Sequence, residues 1–246
     1  MGGLHPQALR AYDGVGFAGK TLREKGGVTY AYTDKGVTIT QGGQKTEAVI
    51  QWMFGAGHQA KTPVLEVNGE WVEHRVSWYA GPNKLSLTPG HSFGTPADGE
   101  AALGVVQSKA NAERCFGCHR TGATPGVQCG ACHDPKAAHP AKASREVALC
   151  AGCHRAPNPA AASATPEMDD PMSVRFAPVG LQASKCFASG KLTCVSCHDP
   201  HQPVTANVDA VCKNCHAKQE PAGCAGCHMP KASPTPFLTF TDHRIR

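Results

Sequence analysis

The first 110 residues of this 246-residue chain contain no cysteine, although the whole chain carries 13. No run approaches the roughly 18 apolar residues that a membrane-spanning helix needs. Aromatic residues make up only 6% of the sequence, so a packed core has to draw on something else. The opening Met1-Gly2-Gly3-Leu4-His5 has neither the basic start nor the apolar stretch of a secretory leader. No basic run or basic helical face is present either. The formal net charge of +5 therefore lacks the patterning of a nucleic-acid-binding chain.

What is plentiful is glycine, proline and cysteine. Gly at 27 and Pro at 19 are a high share for a packed globular domain. All thirteen cysteines fall between Cys115 and Cys227. That shift divides the chain into residues 1–110 and residues 111–246.

The region 1–110 reads as β-rich. Val28–Tyr32 and Val37–Thr40 are short β-rich runs joined by the turn-like Thr33-Asp34-Lys35-Gly36. Val64–Val67 and Trp71–Tyr79 flank Asn68-Gly69, a hairpin signal because both residues tolerate positive φ. In the second arm Val72, His74, Val76 and Trp78 share one face. Pro6–Tyr12 is a weak helical segment of one or two turns.

Residues 111–246 carry six Cys-x-x-Cys-His units. The first three are Cys115-Cys118-His119, Cys129-Cys132-His133 and Cys150-Cys153-His154. Beyond the Pro/Ala-rich connector Ala156–Pro166 come Cys194-Cys197-His198, Cys212-Cys215-His216 and Cys224-Cys227-His228. Each group of three holds one Cys-x-x-Cys-His-Asp-Pro, at Cys129 and at Cys194, as a degenerate internal duplication would leave.

The spacing points to covalent haem. Two thiols add across the two vinyl groups of one macrocycle, and two intervening residues let the backbone span the vinyl separation. The adjacent His then binds iron from the proximal side. Paired zinc ligands or CxxC disulfides do not require His directly after the second Cys. With 13 His in the chain, six such placements by chance have a probability of about 10⁻⁸. At about 19 residues per haem the segment is too sparse for a conventional core, and short helices and loops wrapped on haem edges are expected. Six haems bring about twelve propionate charges, offset by about one positive charge per oxidised iron. The holoprotein is then near neutral when oxidised and acidic when reduced.

Cys186, in Ser184-Lys185-Cys186-Phe187, has no CxxC partner. A structural thiol is its simplest reading, beside axial ligation and an intermolecular bond.

The second axial position of each iron separates a carrier from an enzyme. Seven His lie outside the motifs, and six haems need six. His201 and His139 trail the two Cys-x-x-Cys-His-Asp-Pro units and are expected to ligate neighbouring haems. His243 sits beyond the last motif, and His58 and His91 lie on Gly-marked loops. His74 and His5 compete for the last place. His74 has a competing reading as a core histidine. His5 has two, as an exposed terminal residue or as a ligand for a haem of another molecule. Met53, Met168, Met172 and Met229 are further candidates that the His supply makes unnecessary.

The block Leu192–His201, preceded by Ser184-Lys185-Cys186-Phe187, resembles bacterial multihaem cytochromes. These are relatives of the tetrahaem cytochrome of ammonia oxidation and of cytochromes fused to tetratricopeptide repeats. Cys227-His228-Met229-Pro230-Lys231, Phe240–Ile245, Phe54–Gly57, Ser77-Trp78-Tyr79 and Leu87–His91 resemble the same group. The tetratricopeptide part has no counterpart here. The resemblance implies bis-His haems and electron transfer, with His201 and His243 as ligands. By analogy with filament-forming extracellular cytochromes, it also raises a homopolymer.

The sequence thus predicts an α+β chain of low secondary-structure content. A small β-rich N-terminal domain (1–110) supplies distal His ligands, and a hexahaem c-type cytochrome domain (111–246) is built of short helices and loops. The expected cofactors are six haem c groups with iron. The expected role is electron transfer between redox proteins or to an extracellular acceptor, in a periplasmic or extracellular setting with the leader absent from this sequence. The rival is an oxidoreductase acting on a small nitrogen or sulfur compound, which needs a five-coordinate haem. No Cys-x-x-Cys-Lys variant and no shortage of His favours it.

Overall fold

The computed structural model describes residues 3–134, 147–154, 171–190, 192–202, 208–217 and 223–246. The connector Ala156–Pro166, His139 and Met168 lie outside the described residues. The architecture is α+β: a β-rich N-terminal region of several sheets, followed by short helices. The chain forms two compact units, one of residues 6–127 and one of residues 1–5 with 128–246.

The first unit packs two antiparallel sheets. The smaller has the order β2 (Thr21–Arg23), β3 (Thr29–Tyr32), β4 (Gly36–Gln41), β5 (Gln44–Val49). The larger runs β1 (Leu9–Ala11), β6 (Trp52–Phe54), β7 (Ala60–Val67), β8 (Glu70–His74), β11 (Gly104–Gln107). In it β9 (Val76–Tyr79) pairs with the start of β7 and with β10 (Lys84–Leu87). The β3–β4 turn forms where expected: Thr33 Oγ1 accepts from the N–H groups of Lys35 and Gly36. The β7–β8 hairpin turns at Asn68 (φ 53) and Gly69 (φ 81), with Val67 facing Glu70. Alternating side chains from both sheets meet in one core, among them Tyr30, Val37 and Ile39 from the smaller and Met53, Leu65 and Val72 from the larger.

Two expectations for this region change. Pro6–Tyr12 is a short 3₁₀ turn, His5–Gln7, followed by the edge strand β1. Leu9 is buried there, and the backbone of β1 pairs with β6; a three-residue strand is too short for periodicity to register. The arm Trp71–Tyr79 is not one strand. It breaks at Arg75, whose N–H donates to Leu103 O and whose carbonyl accepts from Thr88 N–H. The Arg75 guanidinium is buried and paired in bidentate fashion with Glu24 at 2.8 and 2.9 Å. A buried charge demands such a partner.

The outer face of the larger sheet carries a second apolar cluster. Leu9, Trp52, Phe54 and Trp71 pack against Ala112 and Phe116 of α2 (Lys109–His119). Helix α1 (Gly99–Leu103) begins at Asp98, whose carboxylate accepts from Ala101 N–H, and α2 begins at Ser108, whose hydroxyl accepts from Asn111 N–H. Capping of this kind satisfies amides that the first helical turn leaves unpaired.

The second unit consists of α3 (Val147–His154), α4 (Ala177–Gln182), α5 (Lys185–Ala188), α6 (Val208–Lys213), α7 (Cys224–His228) and 3₁₀ turns. A C-terminal hairpin of two strands, Lys231–Thr235 and Leu238–Thr241, closes it. Its buried aliphatic residues among those described are Val174, Val179, Leu181 and Leu238. Among the described residues that is a small apolar surface.

Candidate functional site

Each Cys-x-x-Cys-His unit folds as a turn of helix or its immediate continuation. Cys115–His119 closes α2, Cys150–His154 closes α3 and Cys224–His228 is α7 itself. At Cys129, Cys194 and Cys212 the turn is closed by the His N–H donating to the first Cys carbonyl, at 2.8, 2.9 and 2.9 Å. Positions i, i+3 and i+4 of a helical turn share one face, so both thiols and the imidazole are offered together. The two Cys-x-x-Cys-His-Asp-Pro units adopt the same 3₁₀ turn. Both are entered through an extended residue, Gln128 (φ −94, ψ 172) and Thr193 (φ −128, ψ 170). None of the thirteen cysteines is joined in a disulfide.

Three motif histidines each face a histidine from outside the motifs. Ring centroids lie 5.9 Å apart for His154 and His5, 6.0 Å for His133 and His201, and 6.1 Å for His198 and His243. Two imidazoles bound trans to one metal through nitrogens about 2.0–2.1 Å away have centroids roughly 6.3 Å apart. The centroid separations of the three pairs lie close to that value. Several Nδ1 atoms are also committed: His5 donates to Pro200 O at 3.3 Å and His243 to Thr241 O at 2.9 Å. His228 donates to Arg246 O. Fixing the proton on Nδ1 leaves Nε2 as the lone-pair nitrogen, as a metal-binding His requires. Burial lowers the pKa of His198 and of His243, which favours the neutral, ligating form.

The tail that carries His243 is clamped. Asp242 is buried and accepts from Arg244 Nε at 2.9 and 3.0 Å, with Arg244 and Arg246 guanidinium groups against its second oxygen. Gly180 of α4 lies beneath it; a Cβ there would sit 3.1 Å from Arg244 N and 3.3 Å from His243 Cβ.

In the first unit His119 donates its Nδ1 proton to Ala8 O at 2.8 Å and packs against Phe54 at 4.5 Å between centroids. Phe116, between the two cysteines of that motif, sits 5.1 Å from Trp71 and 5.5 Å from Phe54. This aromatic seat was not visible in the sequence, because it forms between strands distant in the chain.

The remaining expected ligands divide. His74 is fully buried in the β core: its Nδ1 donates to Leu103 O at 2.5 Å and its Nε2 accepts from Tyr32 O–H at 2.7 Å. Both nitrogens are committed, so the core reading of His74 replaces the ligand reading. Burial pushes its pKa down to about 4. His91 is buried with Nε2 lacking any hydrogen bond, 3.8 Å from a Glu73 oxygen. His58 is exposed on the Gly55–Gly57 loop. His139 lies outside the described residues. Met53 is buried in the β core, away from any ligating role.

The attachment thiols of successive motifs lie close enough to perturb one another. Burial and then the charge of Cys150 raise Cys132, and burial and Cys150 push Cys194 up to about 11. Cys197 is raised by burial, Cys186 and Cys215; Cys212 by burial, Cys224 and Cys197. The motifs from Cys129 to Cys224 therefore form an unbroken series of neighbours. Asp209 of α6 ties the last two together by accepting from Gly223 N–H at 2.5 Å and Cys224 N–H at 2.9 Å. Cys186 is half-buried on α5 beside this series. Among the described residues no group of three or more His, Cys, Asp or Glu is gathered as a polydentate metal site, whereas a haem needs only two axial donors.

A family model described as cytochrome c3 matches residues 121–217. That span holds four of the six motifs, those beginning at Cys129, Cys150, Cys194 and Cys212. The match makes this part of the chain similar to a multihaem c-type cytochrome and supports covalent haem and haem-mediated electron transfer. No curated protein and no solved structure matches significantly. No helix among the described residues is long and apolar enough to cross a membrane.

Proposed function

We propose that this chain is an electron carrier with six c-type haems, each fixed by two thioethers and closed by two histidines. The observation that carries the reading is the set of three histidine pairs at 5.9 to 6.1 Å. In it His5, His201 and His243 are the distal ligands opposite His154, His133 and His198. His58, His91 and His139 are the candidates for the remaining distal positions. Haem iron bound in this way exchanges one electron between its ferric and ferrous states.

The chain's own residues do the rest. Twelve cysteines hold the macrocycles at fixed spacing. The paired imidazoles deny small molecules the sixth position. Backbone carbonyls at Ala8, Pro200, Thr241 and Arg246 hold the ligand rings in one tautomer. The run of neighbouring motifs from Cys129 to Cys224 supports transfer from haem to haem. The partners are redox proteins or an extracellular acceptor, and the setting is periplasmic or extracellular. His5 lies against His154 of its own chain, which supports ligation within the chain.

The test is functional. Chemically reduced holoprotein should pass its electrons rapidly to a soluble ferric acceptor, while nitrite, hydroxylamine and sulfite should neither oxidise it catalytically nor alter its spectrum. Turnover of one of those compounds would identify an open haem and contradict the reading.

A further inference from the structure

Within the unit of residues 1–5 and 128–246, the four residues His198-Asp199-Pro200-His201 touch all three histidine pairs. His198 faces His243, and His201 faces His133 of the Cys129 motif. Pro200 O accepts from His5 Nδ1 at 3.3 Å, and His5 faces His154 of the Cys150 motif. The N-terminal arm runs tightly against this segment: a Cβ on Gly3 would lie 3.1 Å from Pro200 O and 3.3 Å from His201 O.

Asp199 organises the segment. Its Oδ1 accepts from His201 N–H at 2.9 Å and lies 3.3 Å from His201 Nδ1. His5, His119, His228 and His243 give Nδ1 to neutral backbone carbonyls; His201 instead has a carboxylate oxygen 3.3 Å from its Nδ1, a charge contact. A carboxylate so placed strengthens the ring as a donor and favours the ferric state.

We propose that His198–His201 is the junction of a three-haem group, and that Asp199 is the positioning residue that aims His201 at the iron of the Cys129–His133 haem and lowers its reduction potential. The proposal rests on the ligation reading above. Its consequence is a graded triplet: the haem opposite His201 is the most readily oxidised for its ligand type, and its neighbours share the same short stretch of backbone.

The test compares Asp199→Asn and His201→Ala in the haem-loaded chain, by potentiometric titration and electron paramagnetic resonance, with haem counted as pyridine haemochrome. Asp199→Asn should keep six low-spin haems and move one redox transition to a more positive potential, with a changed low-spin signal for that haem alone. His201→Ala should turn that same haem high-spin. The proposal is overturned if Asp199→Asn leaves every transition in place, or shifts a haem other than the one His201→Ala opens. If His201→Ala leaves all haems low-spin, the ligation reading itself falls.

Discussion

His133 and His201 face each other with ring centroids 6.0 Å apart and planes 19° from parallel, although they belong to different motif groups. His201 follows the Cys194 motif, whose own His198 faces His243 instead. Under the proposed ligation, the ligands for one iron come from separated segments, and closing each pair would tie those segments together. Few aliphatic residues are buried among the described residues of this unit, so such cross-linking would add to its side-chain core.

Substituting a distal ligand should therefore have a local signature. His243→Ala and His5→Ala are each expected to convert one haem from low-spin to high-spin while six haems remain attached, since attachment depends on the cysteines. Electron paramagnetic resonance of the oxidised variants, beside a haem count, checks this.

His74→Ala should behave in the opposite way. Removing it leaves the Tyr32 hydroxyl and Leu103 carbonyl unsatisfied in the core and opens a cavity, at a cost of about 2–4 kcal/mol. Denaturant unfolding followed by far-ultraviolet circular dichroism should show the loss, with spin state unchanged. A new high-spin signal would return His74 to the ligand set.

These contrasts mark what was legible in the sequence. The attachment motifs and the Asn68-Gly69 turn are local patterns, and their chemistry is written in adjacent residues. The choice between His5 and His74 is not local: it depends on Tyr32 and Leu103 lying over one ring and Pro200 beside the other. The break at Arg75 is hidden for the same reason, because its partner Glu24, just past the end of β2, is distant in the sequence. The pairing of His133 with His201 rather than with its own neighbours is likewise a property of the packed chain.

Phe116→Ala should loosen the first attachment site from its support. The ring is buried between Phe54 and Trp71, and its loss costs about 3 kcal/mol. Unfolding of the first unit should shift by that amount, and haem attachment at Cys115 and Cys118 should fall in yield, read by peptide mass spectrometry.

The Arg75–Glu24 pair gives the first unit an acid limit. Burial raises the Glu24 carboxyl, but the hydrogen bonds and charge of Arg75 outweigh it, and its pKa lies below the ordinary 4.5. A folded pKa below the unfolded one contributes stability above the unfolded value and loses it as pH falls towards the folded one. Glu24→Gln should cost about 3 kcal/mol at neutral pH and flatten the decline in stability below about 4.5, measured by unfolding at a series of pH values.

The central claim is that paired histidines close every covalently attached haem. It is tested most directly by one quantitative electron paramagnetic resonance spectrum of the fully oxidised holoprotein, normalised to haem per chain. The account predicts six haems per chain, with all the ferric signal low-spin. A high-spin component amounting to one haem, or a count below six, would contradict it.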